Sequence, residues 1–207
     1  MTDAGRCCVV TNVRDPRDPQ LGVSRGMLAT DFLAGSADAA SHAQQLLRSA
    51  AAYRPFNLLT FDAQAAFYLG NRPQPRMQSV SAGVHGLSNA DFNTPWPKTR
   101  VLMQRLQDWI ESGGDRDFTP LFDALADEQL APDAQLPDTG VGLARERWLS
   151  AAFLRGEHYG TRASTLVAIG HAGDGVIIER RFGPHGRFEG ETSWPIAGQP
   201  TVVPAAR

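Results

Sequence analysis

Phe56-Asn57-Leu58-Leu59-Thr60-Phe61, then Asp62-Ala63-Gln64, then Ala65-Ala66-Phe67-Tyr68-Leu69 is the stretch on which the fold turns. Its two apolar runs are short and rich in aromatic and branched side chains, which reads as strand. About three residues separate them, so the strands form an antiparallel hairpin. On the N-terminal side, Cys7 to Thr11 is another short apolar run and a buried strand. The span from Asn12 to Arg25 holds Asp15-Pro16, Asp18-Pro19 and Gly22 and reads as a loop. Helices are expected over Gly26 to Leu33 and Ala39 to Ala52. In the second, Ala43, Leu46, Leu47 and Ala50 form one apolar face and Asp38 is placed to cap.

On the C-terminal side a strand is expected over Gln78 to Gly83, leading into Gly86-Leu87-Ser88-Asn89. Thr94-Pro95-Trp96-Pro97 opens a helix with Thr94 as its cap. Leu102, Leu106, Trp109 and Ile110 are its buried stripe, and Gly113-Gly114 ends it. A helix from Thr119 to Leu125, a polar loop from Asp127 to Gly142 and a short helix over Arg145 to Leu154 follow. Three strands close the chain: Ser164 to Ile169, Val176 to Phe182 and Arg187 to Trp194, with His171 to Gly175 as the first turn. In the first of these, Thr165, Val167 and Ile169 alternate with Leu166 and Ala168, so cover is expected on both faces. Strands, helices, then strands again predict a layered α+β domain. No repeat or linker divides the chain, so residues 1–207 read as one domain, with 197–207 as a loose tail.

Bulk properties narrow the function. The 207 residues carry 20 Lys and Arg against 22 Asp and Glu, a net charge of -2, with no basic run. Nothing there attracts nucleic acid. No segment approaches the ~20 apolar residues of a membrane span, and the first six residues lack an apolar signal region. The two cysteines, Cys7 and Cys8, are adjacent and too close to form a structural disulfide. The chain reads as reduced, soluble and cytoplasmic. There is no Walker loop, GxGxxG, CxxC or GxSxG, and the five histidines do not pair at helical spacing. No metal and no cofactor is expected.

Four stretches occur together: Thr11-Asn12-Val13-Arg14-Asp15-Pro16; Ser24-Arg25-Gly26 with Asp31-Phe32-Leu33; Gly86-Leu87-Ser88-Asn89 with Thr94-Pro95-Trp96-Pro97-Lys98; and Tyr159-Gly160-Thr161-Arg162-Ala163-Ser164-Thr165. In this order and spacing they resemble the NRDE family, also called the Transport and Golgi organisation 2 family, from Gly5 to about Trp194. The resemblance implies a four-layer αββα sandwich of the N-terminal-nucleophile hydrolase type. In that superfamily a first-residue Cys, Ser or Thr attacks an amide, with its own α-amine as base. The family's nucleophile would be a Cys directly after the initiator Met, with Asn-Arg-Asp-Glu downstream. Residue 2 here is Thr and no Asn-Arg-Asp-Glu occurs. The opening instead resembles an internal segment of the family, so the chain is expected to be N-terminally shortened. Asn93 also stands where family members often carry an acid.

By the same resemblance, Asn89 would be an oxyanion donor, Asn12 would line the same pocket, and Arg162 would face the nucleophile or hold a substrate acid group. The alternatives are strand-end capping for the asparagines and a structural ion pair for Arg162. Arg14, Arg25, Trp96 and Tyr159 are the substrate-binding candidates. Arg25 precedes a helix start that suits an anion; Trp96 is a packing anchor or a lid. Cys7 and Cys8 read as small strand residues rather than a replacement nucleophile. Two functions follow: an amidohydrolase of linear amides, inactive in this shortened form, or a non-catalytic carrier of a haem, lipid or acyl-bearing small molecule.

Overall fold

A computed structural model describes residues 1–2, 5–17, 21–114, 117–171 and 173–197. The loop residues Asp18 and Pro19 and almost all of the expected tail lie outside the described residues. Two antiparallel sheets carry the fold. The first has the order β1 (Cys7–Asn12), β2 (Phe56–Phe61), β3 (Ala66–Gly70), β4 (Arg76–Ser79). The second is β5 (Ala163–Ile169), β6 (Gly175–Phe182), β7 (Phe188–Ile196) in sequence order. Helices are α1 (Gly26–Ala34), α2 (Ala39–Leu47), α3 (Pro97–Glu111), α4 (Thr119–Leu125) and α5 (Leu143–Trp148).

The β2–β3 hairpin forms as the sequence predicts. The Asp62 carboxylate closes its turn by accepting the Gln64 and Ala65 amides, each at 2.9 Å. It also accepts the Ala39 amide at 2.6 Å, tying the hairpin to the start of α2. Alternation then decides the faces. Leu58 and Leu69 turn toward α1 and α2, where they join Leu28, Ala43, Leu46, Ala50 and Phe56 in the core. Cys8 and Val10 of β1 pack at its margin. The opposite face carries Thr11, Asn57 and Tyr68, which build the polar network described below.

Asp38 caps α2, its carboxylate accepting the Ser41 amide at 2.7 Å and the Ser41 hydroxyl at 3.0 Å. Both bonds lower its pKa, opposed weakly by desolvation. Asp38→Ala is expected to lower the urea midpoint at neutral pH. The folded-state pKa is depressed, so the carboxylate's contribution is present above its unfolded pKa and lost as pH falls through the folded one. Urea titrations of both proteins at neutral and strongly acidic pH should therefore show a gap that closes in acid.

Several expectations are corrected. The helix expected over 39–52 stops at Leu47, and a 3₁₀ turn takes up Ala50–Ala52. The strand expected at 78–83 sits at Arg76–Ser79. Thr94 does not cap α3: Trp96 is the N-cap, without a side-chain bond, and donates its amide to the Thr94 carbonyl at 2.8 Å. The α3 stripe is not buried. Leu102, Leu106 and Trp109 are half-covered, Ile110 is 48% exposed, and Thr99 is the buried residue of the helix. β5 is covered on one face only. Its Ser164 face turns toward α4, where the Arg180 guanidinium lies 3.9 Å over the Phe122 ring. Val167 and Ile169 on the other face are 42% and 44% exposed. Period-two alternation of apolar residues states which side each one faces but not whether a partner covers it.

Candidate functional site

The site begins where β1 leaves its sheet. Three hydrogen bonds zip the end of β1 and the residues just after it to the segment before α3. Thr11 Oγ1 donates to the Ser88 carbonyl at 2.9 Å, Asn89 Nδ2 donates to the Asn12 carbonyl at 2.9 Å, and the Arg14 amide donates to the Asn89 carbonyl at 2.7 Å. The two asparagines named from the sequence thus meet, 77 residues apart. One amide hydrogen of Asn89 is used to hold the backbone.

Beneath this seam lies a network the sequence reading missed. Asn57, 1% exposed, donates to Thr11 Oγ1 at 3.1 Å and to the Ala90 carbonyl at 2.8 Å. Its carbonyl accepts the Tyr68 hydroxyl at 2.7 Å, and that hydroxyl also reaches Asp91 at 2.9 Å. Arg76 pairs with the same Asp91 carboxylate. The Tyr68 pKa is raised, first by desolvation and then by Asp91. The signal for this network was present in the sequence: an Asn inside an apolar strand must be satisfied or it would not be tolerated.

Arg14 points the other way, into a second buried cluster. Its Nη1 donates to Glu146 at 3.0 Å, and its guanidinium lies 4.7 Å over the Trp96 ring. The other Glu146 oxygen accepts the Thr139 amide at 2.7 Å and the Thr139 hydroxyl at 2.6 Å. Desolvation lowers the Arg14 pKa, while Glu146 and Tyr159 oppose the shift. Tyr159 itself sits 5.6 Å from the Trp148 ring at the rim. Arg14 and Trp96, named as substrate-binding candidates, are therefore neighbours, and Tyr159, a third, lies within electrostatic reach of Arg14. Lys98, the second residue of α3, stands beside Arg14. Its ammonium donates to the Leu149 carbonyl at 3.0 Å. Burial, and then the neighbouring Arg14 charge, bring its pKa down to about 8.

Two named residues go elsewhere. Arg25 Nη1 donates to the Pro55 carbonyl at 2.7 Å, at the base of the first sheet. Arg162 is exposed, and its Nη2 reaches the Glu157 carbonyl at 3.5 Å. Among the described residues no hydrogen bond joins it to Asn12 or Asn89. The position of Asn93 also has a physical reason. Its φ of 60° is left-handed, a region Asn enters more readily than most residues. From there its carbonyl accepts the Gly86 amide at 3.0 Å and closes the 86–93 loop.

The family model for Transport and Golgi organisation 2 matches residues 1–184. The chain belongs to the Transport and Golgi organisation 2 family. It is 30% identical over 188 residues to the Transport and Golgi organization protein 2 homolog of Homo sapiens, covering 85% of this chain and 68% of that one. It is 28% identical over 192 residues to the Transport and Golgi organization 2 homolog of Mus musculus, with the same coverage. All four sequence stretches that carried the resemblance lie inside the matched span. In this Transport and Golgi organisation 2 domain they lie apart in the chain but not in space: the first and third meet at the seam, and Arg14 of the first lies beside Trp96 of the third and within electrostatic reach of Tyr159 of the fourth.

The thiols set the chemical limits of the described residues. Desolvation pushes the Cys7 pKa up, and desolvation with the neighbouring thiol pushes Cys8 up to about 12. A thiolate, not a thiol, is the nucleophile, so both are poorly reactive at neutral pH. Among the described residues no group of three His, Cys, Asp or Glu could hold a metal ion. Nor is any described helix long and apolar enough to cross a membrane.

Proposed function

We propose that this chain binds a small acyl-bearing molecule without turning it over, in a reducing compartment such as the cytoplasm. The observation that carries the reading is the buried Arg14, Trp96 and Lys98 cluster beside a seam whose Asn89 amide is bonded to backbone. A donor constellation without a nucleophile can hold and polarise an amide but cannot cleave it. Arg14, Trp96 and Lys98 supply a partly desolvated cationic wall with an aromatic face, which suits a ligand with one polar end and one apolar end. The test is a fluorescence titration with a medium-chain N-acyl amide, reading the tryptophans. Saturable quenching that is weakened in Trp96→Phe supports the reading; a flat titration contradicts it. Iodoacetamide labelling of the native protein should also stay slow at pH 7 and accelerate only well above pH 9, whereas rapid labelling at pH 7 would place a thiolate in β1.

A second reading is favoured by one feature. β1 is an edge strand with β2 on one side only, and Val9 is 45% exposed. Such an edge has room for a further strand. In a longer form of the protein that strand would carry an N-terminal cysteine to the Asn12 and Asn89 seam and make an amidohydrolase. Reading the coding DNA upstream of Met1 for a Met-Cys start followed by Asn-Arg-Asp-Glu tests it.

The four-layer sandwich is part of the same proposal. Its support is that helices cover one face of the first sheet and leave Val9 and Leu59 beside the polar network on the other, while Val167 and Trp194 share the open face of the second. These two would be the inner faces.

A further inference from the structure

Thr99, Leu102, Met103 and Leu106 fall at i, i+3, i+4 and i+7 of α3, so they share one face of the helix. That face packs on Gly86 at Thr99 and Met103. With Leu87 and Lys98 it lines a cavity of about 340 Å³ against the Gly86–Ser88 segment. The stripe is polar at the N-terminal end of the helix and apolar beyond it. The seven residue steps from Thr99 to Leu106 make it roughly 10 Å long.

Two polar groups sit at its head. Thr99 is 5% exposed, and its Oγ1 is buried with no hydrogen-bond partner. A hydroxyl in that condition costs free energy unless a ligand or water completes it. Lys98 lines the same cavity, and its ammonium spends one donor on the Leu149 carbonyl, leaving two. No carboxylate of the described residues pairs with it, because Glu146 is taken by Arg14 and Thr139. His85 also borders the cavity, with its Nε2 2.9 Å from the Ser81 carbonyl and its Nδ1 3.0 Å from the Asn93 amide nitrogen.

We propose that this cavity binds a free carboxylic acid with an unbranched apolar tail, its carboxylate held by the Lys98 ammonium and the Thr99 hydroxyl and its tail along Leu102, Met103 and Leu106. The inference rests on the binding reading above and names its ligand class. One ammonium and one hydroxyl match a singly charged carboxylate. A phosphate would bring about two charges and three acceptor oxygens into walls of Leu and Met. The straight apolar stripe selects an extended tail over a compact ring.

The test is calorimetric titration of the full chain with octanoate, octanol and octylammonium, beside the N-acyl amide used above. Octanoate should bind roughly 10- to 100-fold more tightly than octanol, the worth of charged hydrogen bonds. Lys98→Met, which keeps the stem, should abolish that preference, and Thr99→Val should reduce it. The preference among ligands in the unaltered protein stands even where a variant fails to fold. Equal binding of octanoate and octanol, or octanoate binding indifferent to Lys98→Met, overturns the cavity assignment. Binding of the N-acyl amide without any binding of octanoate overturns the assignment and leaves the general reading standing. Absence of binding by all four overturns both.

Discussion

Glu146→Ala is expected to lower the unfolding free energy by about 3–5 kcal/mol, the range for stripping one partner from a buried ion pair. The side chains of Glu146 and Arg14 are 3% and 13% exposed, so solvent cannot replace the lost acid. The carboxylate also serves the Thr139 amide and hydroxyl, at 2.7 and 2.6 Å. Its removal strands three donors at once, one of them the Arg14 cation. Arg14 would be left between the Trp96 face and Lys98, whose charge already opposes it. The double variant Glu146→Ala, Arg14→Met should recover much of the loss, because an apolar side chain in that place needs no counter-charge. Urea unfolding of the two variants checks both statements. A loss below about 1 kcal/mol for Glu146→Ala would mean that the pair is solvated like a surface one.

Asn57→Ala should cost about 2–3 kcal/mol, because each buried group left without its partner costs about 1–3. Asn57 holds three polar groups together across β1, β3 and the loop before α3. Its amide bonds Thr11 Oγ1 and the Ala90 carbonyl, and its carbonyl takes the Tyr68 hydroxyl. Thr11 keeps Ser88 and Tyr68 keeps Asp91, which limits the loss. The Ala90 carbonyl loses its side-chain donor. The loosened seam should also weaken ligand binding, since Ser88 to Asp91 faces the candidate site. Unfolding and the acyl-amide titration on the same sample measure the two effects together. A variant of unchanged stability would show that water satisfies the Ala90 carbonyl.

How far the sequence carried the account depends on what each residue pattern reports. The β2–β3 hairpin was legible because strand period, aromatic content and a short polar turn all agree. Helix α4 was legible at both ends, as Thr119–Leu125. Asp38 was legible as a cap because its partner is local, three residues on. The exposed face of β5 was not legible, since alternation does not say whether another layer lies on top. The same gap misled the reading of α3, whose apolar stripe lines a cavity instead of a core. Within the site, Asn12, Asn89, Arg14 and Trp96 were found through family-like stretches. Glu146 was missed because nothing within α5 marks it: its partners lie 132 and 7 residues away. Lys98 was quoted in the motif, but its unpaired burial is a property of the fold alone.

The most direct measurement of the central claim is a mass balance on bound ligand. The purified chain would be incubated with a medium-chain N-acyl amide at neutral pH, separated from free ligand by rapid filtration, and extracted. The account predicts that the amide is recovered intact from the protein fraction in saturable amount. Free acid and amine appearing in proportion to protein would contradict it, whether or not Cys7→Ala and Cys8→Ala change the rate, because the account contains no nucleophile that cleaves an amide.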